Sequence, residues 1–339
     1  MIKLNSNESP FGPSPKAIAA MQAAVQDGNR YPDNDSSELR ARLAEVHGLS
    51  PDQVLITAGL TDFLGILCRS LLKPGLNAVT SQRSFIVYAI ATKQSGAHLI
   101  ETPMRHDGFD LDVLANAIDH ATGIVFLANP NNPTGTAFDA PALDRFLSVV
   151  PENVTVVIDE AYYDYANYFA HARGFQYSQS IDYVRGSRNV LVLRTFSKAH
   201  GLAGLRVAYA LGRPEMLKAL ARLRSTFSVS SAAQAGALAA MEDADHLTRA
   251  LENNAAGVEE ITRELASLGY VIPQAWGNFV YCELGEDARA FAKRLESEGV
   301  LTRPLGPWGA PTAIRISIGM PRENQDFLAA FRRILKRDA

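Results

Sequence analysis

Only two of the 339 residues are cysteines, Cys68 and Cys282. Two thiols are too few for a disulfide framework or a thiolate metal site, and both lie in apolar segments, so we expect them to pack in the core. The seven histidines are scattered without ligand spacing and support no metal centre. Neither charge sign dominates: 33 basic residues against 36 acidic ones leave a formal net charge of −3, which gives no reason to expect a nucleic acid or an anionic membrane as partner. No apolar run reaches the length that spans a bilayer, and the opening Met1-Ile2-Lys3-Leu4-Asn5-Ser6-Asn7-Glu8 lacks the apolar centre of a signal peptide. We therefore expect a cytoplasmic protein. Internal repeats and low-complexity tracts are also missing, so the chain reads as ordinary globular domains.

A hydrophobic fraction of 47% over this length suffices for an ample core and suggests more than one domain. Short β-branched runs alternate with helical patterns, and residues 53–57, 78–81, 98–102, 123–128, 154–159, 190–194 and 206–211 are predicted strands. Ile124-Val125-Phe126-Leu127 and Val154-Thr155-Val156-Val157-Ile158 are apolar on both faces, which implies an α/β fold with a mainly parallel seven-stranded sheet and helices on both sides. A long helical region over 231–268 leads to a smaller α/β unit, with predicted strands at 270–272, 278–283, 301–303 and 313–317 around a helix at 287–298. The boundaries predicted are an N-terminal arm 1–28, a large domain 29–235 and a small C-terminal domain 236–339. The arm, rich in Asn, Ser, Pro and Gly, reads as irregular chain lying across another surface.

Polar clusters follow several predicted strands, and ligands bind such sheets at the strands' carboxyl ends. After Val190-Leu191-Val192-Leu193 comes Thr195-Phe196-Ser197-Lys198-Ala199-His200-Gly201-Leu202-Ala203-Gly204-Leu205-Arg206. A lysine amine at a strand mouth can condense with an aldehyde, while the hydroxyls of Thr195 and Ser197 and the guanidinium of Arg206 hold a phosphate. Lys198 is thus the candidate catalytic residue and pyridoxal 5'-phosphate the candidate cofactor. In Gly59-Leu60-Thr61-Asp62, Leu60 and Thr61 open an apolar helix whose free N–H groups suit the same phosphate, or simply form a strand-to-helix turn. Asp159 ends a buried strand, where a carboxylate asks for a cation such as the protonated ring nitrogen of that cofactor, or else caps the next helix. Tyr162 and the Asn132 side-chain amide could reach the cofactor's phenolic oxygen and tune the lysine nitrogen, although Asn131-Asn132-Pro133-Thr134-Gly135 is also a common turn composition. Phe85 is a candidate to stack on the cofactor ring or to serve the core. For an anionic substrate, Arg315 inside Ala313-Ile314-Arg315-Ile316-Ser317-Ile318 is the first candidate, its alternative being an inward-leaning charge on an edge strand; Arg303 is the second, its alternative a solvated loop arginine.

In this order along the chain, the clusters resemble the fold type I pyridoxal phosphate enzymes, the aspartate aminotransferase superfamily. Leu4-Asn5-Ser6-Asn7-Glu8-Ser9-Pro10-Phe11-Gly12-Pro13-Ser14-Pro15, Arg30-Tyr31-Pro32-Asp33, Asp159-Glu160-Ala161-Tyr162-Tyr163, Arg194-Thr195-Phe196-Ser197-Lys198 and Arg303-Pro304-Leu305-Gly306 together look like the histidinol-phosphate aminotransferase family, across essentially the whole chain. The resemblance implies a homodimer with shared active sites, in which Tyr31 reaches the cofactor phosphate of the neighbouring subunit. From Tyr31-Pro32 alone only a turn follows.

Two departures bear on the substrate. Members of that family carry a Tyr-x-x-Gly-type segment ahead of the Asn-x-Asn-Glu stretch, whereas this sequence opens at that stretch, so a looser hold on the substrate's phosphate end is expected. A usual asparagine-bearing stretch reads Phe227-Ser228-Val229-Ser230 here. The resemblance implies a ping-pong exchange of an amino group between histidinol phosphate and 2-oxoglutarate, with Asn132 also touching substrate. Aromatic amino acids as donors, and a lyase resembling threonine-phosphate decarboxylase on the same scaffold, are the alternatives.

Overall fold

The computed structural model describes residues 1–338. Seven strands form one sheet in the order Val54–Thr57, Ala208–Leu211, Val190–Thr195, Thr155–Asp159, Thr122–Ala128, Asn77–Ser81, His98–Thr102. All adjacent pairs are parallel except those of Ala208–Leu211, which runs against both its neighbours. Side chains alternate between faces along a strand, and here both faces are covered. Ile56, Val125, Leu127, Val156, Ile158 and Val192 enter one core, with Leu39, Leu43, Phe146 and Ala233 from helices on that side. Leu55, Ile124, Phe126, Val157, Leu191 and Leu193 enter the other, with Phe63, Leu64, Leu67 and Tyr88. Continuous apolar runs in the sequence are the direct consequence, and each fully buried Leu, Ile or Phe contributes roughly 1.5–3 kcal/mol.

This arrangement builds the site. Parallel strands bring their carboxyl ends to one edge of the sheet, so the segments after Thr57, Ala128, Asp159 and Thr195 converge there. Ala208–Leu211, being antiparallel, brings its amino end to the same edge. Ala208 lies in register with both Thr57 and Thr195, which carries Arg206 to the edge beside Gly59 and Ser197.

A second unit holds a three-stranded antiparallel sheet ordered Phe279–Glu283, Ala310–Ser317, Arg303–Leu305. Val280, Cys282, Ile314, Ile316, Phe327 and Phe331 form its core, joined by Leu4 from the chain start. The N-terminal arm is more ordered than its composition suggests. Ile2–Lys3 pairs in parallel with Val300–Leu301, and the Ser317 N–H donates to the Leu4 carbonyl at 2.9 Å. Pro15–Val25 is a helix capped by Ser14, whose hydroxyl accepts the Ala17 N–H. It packs against the helix Ser231–Met241 so closely that a Cβ on Gly236 would lie 2.9 Å from Met21 Cγ.

Three expectations are corrected. Residues 270–272 form no strand: Tyr270 packs edge-on against Phe331, Val271 is exposed, and Pro273 has no N–H for a ladder. The helical region 231–268 breaks after Met241, where the Asp243 side chain accepts the His246 N–H and caps a new helix, Ala244–Ser267. The predicted strand 301–303 is two short ones, Val300–Leu301 and Arg303–Leu305, which join different sheets. Cys68 and Cys282 are both free and buried, as expected of packing residues.

Candidate active site

At the carboxyl edge of the large sheet lies a cavity of about 270 Å3. Its walls include Leu60, Thr61, Phe85, Asn132, Asp159, Tyr162, Thr195, Ser197, Lys198 and Arg206, ten of the residues singled out in the sequence. Arg315 is not in the wall but touches it: its Nη1 donates to Asn132 Oδ1 at 2.5 Å. Arg303 stands opposite Arg315 on the neighbouring strand. Tyr31 lies outside this cavity, 82% exposed and stacked on Phe227 at 4.5 Å between ring centroids.

Lys198 leaves the strand Val190–Thr195 three residues earlier, and its Nζ donates to the carbonyls of Asn7 (3.3 Å) and Ser6 (3.4 Å). Burial first, and then the positive charge of Arg315, lower its pKa to about 8. Asp159 is 4% exposed. It accepts hydrogen bonds from the Tyr88 hydroxyl at 2.8 Å and the Ala161 N–H at 3.1 Å, and no cationic side chain among the described residues pairs with it. Burial raises its pKa to about 6 against the lowering effect of those two donors. The capping alternative is not realised: the next helix, Tyr163–Arg173, has Tyr162 at its N-cap, and the Asp159 oxygens serve the turn through Ala161 and the Tyr88 hydroxyl instead.

The residues expected to hold a phosphate have their own geometry. Gly59 caps the helix Leu60–Leu71 with φ +90°, a conformation L side chains avoid, and a Cβ there would fall 2.4 Å from Arg206 Nη2. The guanidinium thus lies directly on the glycine, against a helix start whose first N–H groups have no partner within the helix. Arg206 itself holds φ +55°, and its Nη1 donates to the Ala203 carbonyl at 2.8 Å. Thr195 Oγ1 donates to Ser197 Oγ at 2.9 Å, which leaves the Ser197 hydrogen to point elsewhere.

Phe85 is half-buried and meets Tyr88 edge-on at 5.6 Å. Arg315 sits on the central strand of its sheet, not an edge, and is 5% exposed. Its Nε has no partner, its Nη2 donates to the Asn5 carbonyl at 3.0 Å, and burial lowers its pKa to about 10. A buried guanidinium with a spare donor and no carboxylate is an anion receptor in waiting.

Sequence reasoning missed Tyr88, Asn7 and Glu8. Tyr88 reads as one more apolar helix residue, and only the fold reveals its hydroxyl on Asp159. Asn7 donates through Nδ2 to the Tyr162 hydroxyl at 2.9 Å, and Glu8 lines the cavity. The Asn-x-Asn-Glu stretch that carries both was itself the available signal.

Residues 1–331 match the family model "Aminotransferase class I and II". Histidinol-phosphate aminotransferase 2 of Pseudomonas aeruginosa is 44% identical over 338 residues, covering 100% of this chain and 90% of that protein. The enzyme of the same name from Pseudomonas fluorescens is 43% identical over 337 residues, covering 99% and 90%. Among solved structures, histidinol-phosphate aminotransferase from Sinorhizobium meliloti in complex with pyridoxal-5'-phosphate superposes with a TM-score of 0.91 at 31% identity, covering 100% of this chain and 92% of that one. The chain belongs to the class I and II aminotransferases and, within them, to the histidinol-phosphate aminotransferase family.

Proposed function

We propose that the protein is a pyridoxal 5'-phosphate-dependent aminotransferase that takes its amino group from histidinol phosphate and passes it to 2-oxoglutarate. The observation that carries this reading is the meeting, in one cavity, of the Lys198 amine and Asp159, a buried carboxylate that has no ion-pair partner among the described residues.

The residues fit the cofactor on two sides. Asp159 would hold the pyridine nitrogen in its protonated form, which supplies the counter-charge its burial lacks. Ser197, Thr195, Arg206 and the start of the helix Leu60–Leu71 would hold the phosphate, in the cradle that a side chain on Gly59 would fill. Phe85 and Asn132 would complete the ring's surroundings. When bound, pyridoxal phosphate supplies an electron sink that makes the substrate's Cα–H bond labile.

The chain's own residues do the rest. Lys198 Nζ, uncharged in a useful fraction near pH 8, is the base that accepts the Cα proton and holds it for return. Tyr162 and Asn132 orient donors toward the reacting end of the cavity. Arg315 and Arg303 receive the anionic end of each substrate, the phosphate of the donor or a carboxylate of the 2-oxo acid. One anion site serving both partners supports a ping-pong sequence, in which the first product leaves before the second substrate enters. We further propose that the protein works in the cytoplasm as a homodimer with Tyr31 contributed to the partner's phosphate site; the exposure of Tyr31 outside its own cavity supports this.

The test is a substrate screen on protein reconstituted with the cofactor, following glutamate formed from 2-oxoglutarate. Histidinol phosphate should give the highest kcat/KM, with parallel double-reciprocal lines when both substrates are varied. Phenylalanine or tyrosine turning over while histidinol phosphate is inert would replace this reading with an aromatic aminotransferase, and CO2 release would replace it with a lyase.

A further inference from the structure

Asn7 belongs to the N-terminal arm, yet it is 1% exposed and holds φ +55°. Asparagine is among the few side-chain-bearing residues that tolerate this conformation. Around it every hydrogen-bonding group is used. Its N–H donates to Ser317 Oγ at 2.8 Å, and that hydroxyl donates back to Asn7 Oδ1 at 2.9 Å. Its carbonyl accepts from Asn278 Nδ2 at 3.1 Å and from Lys198 Nζ at 3.3 Å. The remaining group, Nδ2, donates to the Tyr162 hydroxyl at 2.9 Å.

The polarity of that last bond goes with the orientation of the amide. Ser317 Oγ accepts the Asn7 N–H and gives its own hydrogen to Oδ1, and with the amide held this way round Nδ2 faces Tyr162. An amide N–H can only donate, so the tyrosine oxygen must accept. Its O–H hydrogen is thereby directed away from Asn7 and toward the cavity that Tyr162 lines. A hydroxyl whose oxygen already accepts a hydrogen bond is polarised and becomes a stronger donor.

We propose that Asn7 is a positioning residue for Tyr162, fixing the direction of its O–H bond and strengthening it as a hydrogen-bond donor into the active-site cavity. The proposal rests on the cofactor reading given above and deepens it. Tyr162 is held above the ordinary phenol pKa by burial, and Arg315 and Asn7 pull it back. The pairing of the left-handed backbone with a two-way amide accounts for asparagine here. Glycine suits the backbone but offers no amide. Aspartate has the shape but cannot donate, so Tyr162 would turn its hydrogen onto the carboxylate.

A pH titration of visible absorbance on the protein reconstituted with pyridoxal phosphate reads this directly. A strong donor at Tyr162 favours an oxyanion in the cavity and with it the form in which the lysine nitrogen has lost its proton. Asn7→Gly should bind the cofactor and move the absorbance midpoint up by about 0.5–1 pH unit, the order of one neutral hydrogen bond. Asn7→Asp should move it up at least as far, and Ser317→Ala, which frees the amide to rotate, should move it less and in the same direction. In a Tyr162→Phe background, Asn7→Gly should add nothing. An unchanged midpoint in Asn7→Gly, or an equal shift with Tyr162 already removed, overturns the proposal and leaves Asn7 a backbone latch. Wild-type protein without visible absorbance after reconstitution would overturn the cofactor reading itself, and this proposal with it.

Discussion

Arg303 and Arg315 stand opposite each other on antiparallel strands and donate to one acceptor, the carbonyl oxygen of Asn5, each at 3.0 Å. Among the described residues neither forms an ion pair with a carboxylate. Two like charges held side by side on a neutral carbonyl are costly unless an anion joins them, which is why an anion site is proposed at this corner. The two differ in depth. Arg315 is buried and linked to the cavity through Asn132, whereas Arg303 is half-exposed at the sheet edge.

That difference predicts separate effects. Arg315→Lys loses the planar fork and the Asn132 contact, and should lower kcat/KM for every amino donor by about 10–100-fold, the range for hydrogen bonds to charged groups. Arg303→Ala should lower it comparably for histidinol phosphate, whose phosphate is dianionic, and by less than about threefold for phenylalanine, whose single carboxylate needs one arginine. Steady-state kinetics with both donors checks this, and equal losses for the two donors in Arg303→Ala would contradict the division of labour.

Asp159 carries a stability cost that goes with the role proposed for it. Below pH 3.8, the ordinary carboxylate value, the folded and unfolded chains both hold its proton. Between there and about 6 only the folded chain does, so stability falls as pH rises, and above about 6 the full cost of a buried charge is present. That cost is on the order of 2–3 kcal/mol. Asp159→Asn should therefore raise the Tm of cofactor-free protein at pH 8 and leave it nearly unchanged at pH 4, while kcat of the reconstituted enzyme falls by at least ~100-fold. Tyr88 can accommodate the change, because its hydroxyl can turn to accept from the new amide. Near-normal turnover would reduce Asp159 to its turn contact with Ala161.

Gly59→Ala tests the phosphate cradle. The substitution is strained at φ +90°, and its Cβ would meet Arg206 Nη2 at 2.4 Å, so the guanidinium must leave. Loss of one charge-assisted contact should weaken retention of pyridoxal phosphate by about 10–100-fold. Equilibrium dialysis measures it, with Arg206→Gln as the matching control. Tight retention in Gly59→Ala would place the phosphate elsewhere.

The central sheet was legible because it is buried on both faces: runs such as Ile124-Val125-Phe126-Leu127 have no solvent side to dilute them. Its site was legible for the same reason, since strand ends in such a sheet converge and polar residues just beyond them have few other tasks. What depends on contact across long stretches of chain was not. Tyr88 is apolar in pattern and polar in use, and Asn7 acts through Ser317 and Tyr162, more than 150 residues away. The strand expected at 270–272 failed because β-branched composition does not supply a pairing neighbour. The break after Met241 was in view, as Asp243 is a capping residue, but the alanine-rich run ahead of it hid the signal.

Tyr31 supplies the sharpest test of assembly. It is 82% exposed, stacked on Phe227, which is itself 41% exposed, and it lies outside the cavity that holds Lys198. If each active site combines Lys198 of one subunit with Tyr31 of the other, Lys198→Ala subunits supply intact tyrosines and Tyr31→Ala subunits supply intact lysines. A mixed dimer then has one site with both residues and one with neither. Equal amounts, unfolded and refolded together, should give half mixed dimers and so recover about a quarter of wild-type activity, from parents that have none and a reduced level respectively. The recovered activity should show the wild-type affinity for pyridoxal phosphate, because its one working site is chemically complete. Activity equal to the average of the two parents would mean that each subunit is self-sufficient, and a fully active monomer in sedimentation would remove any role for Tyr31 in trans.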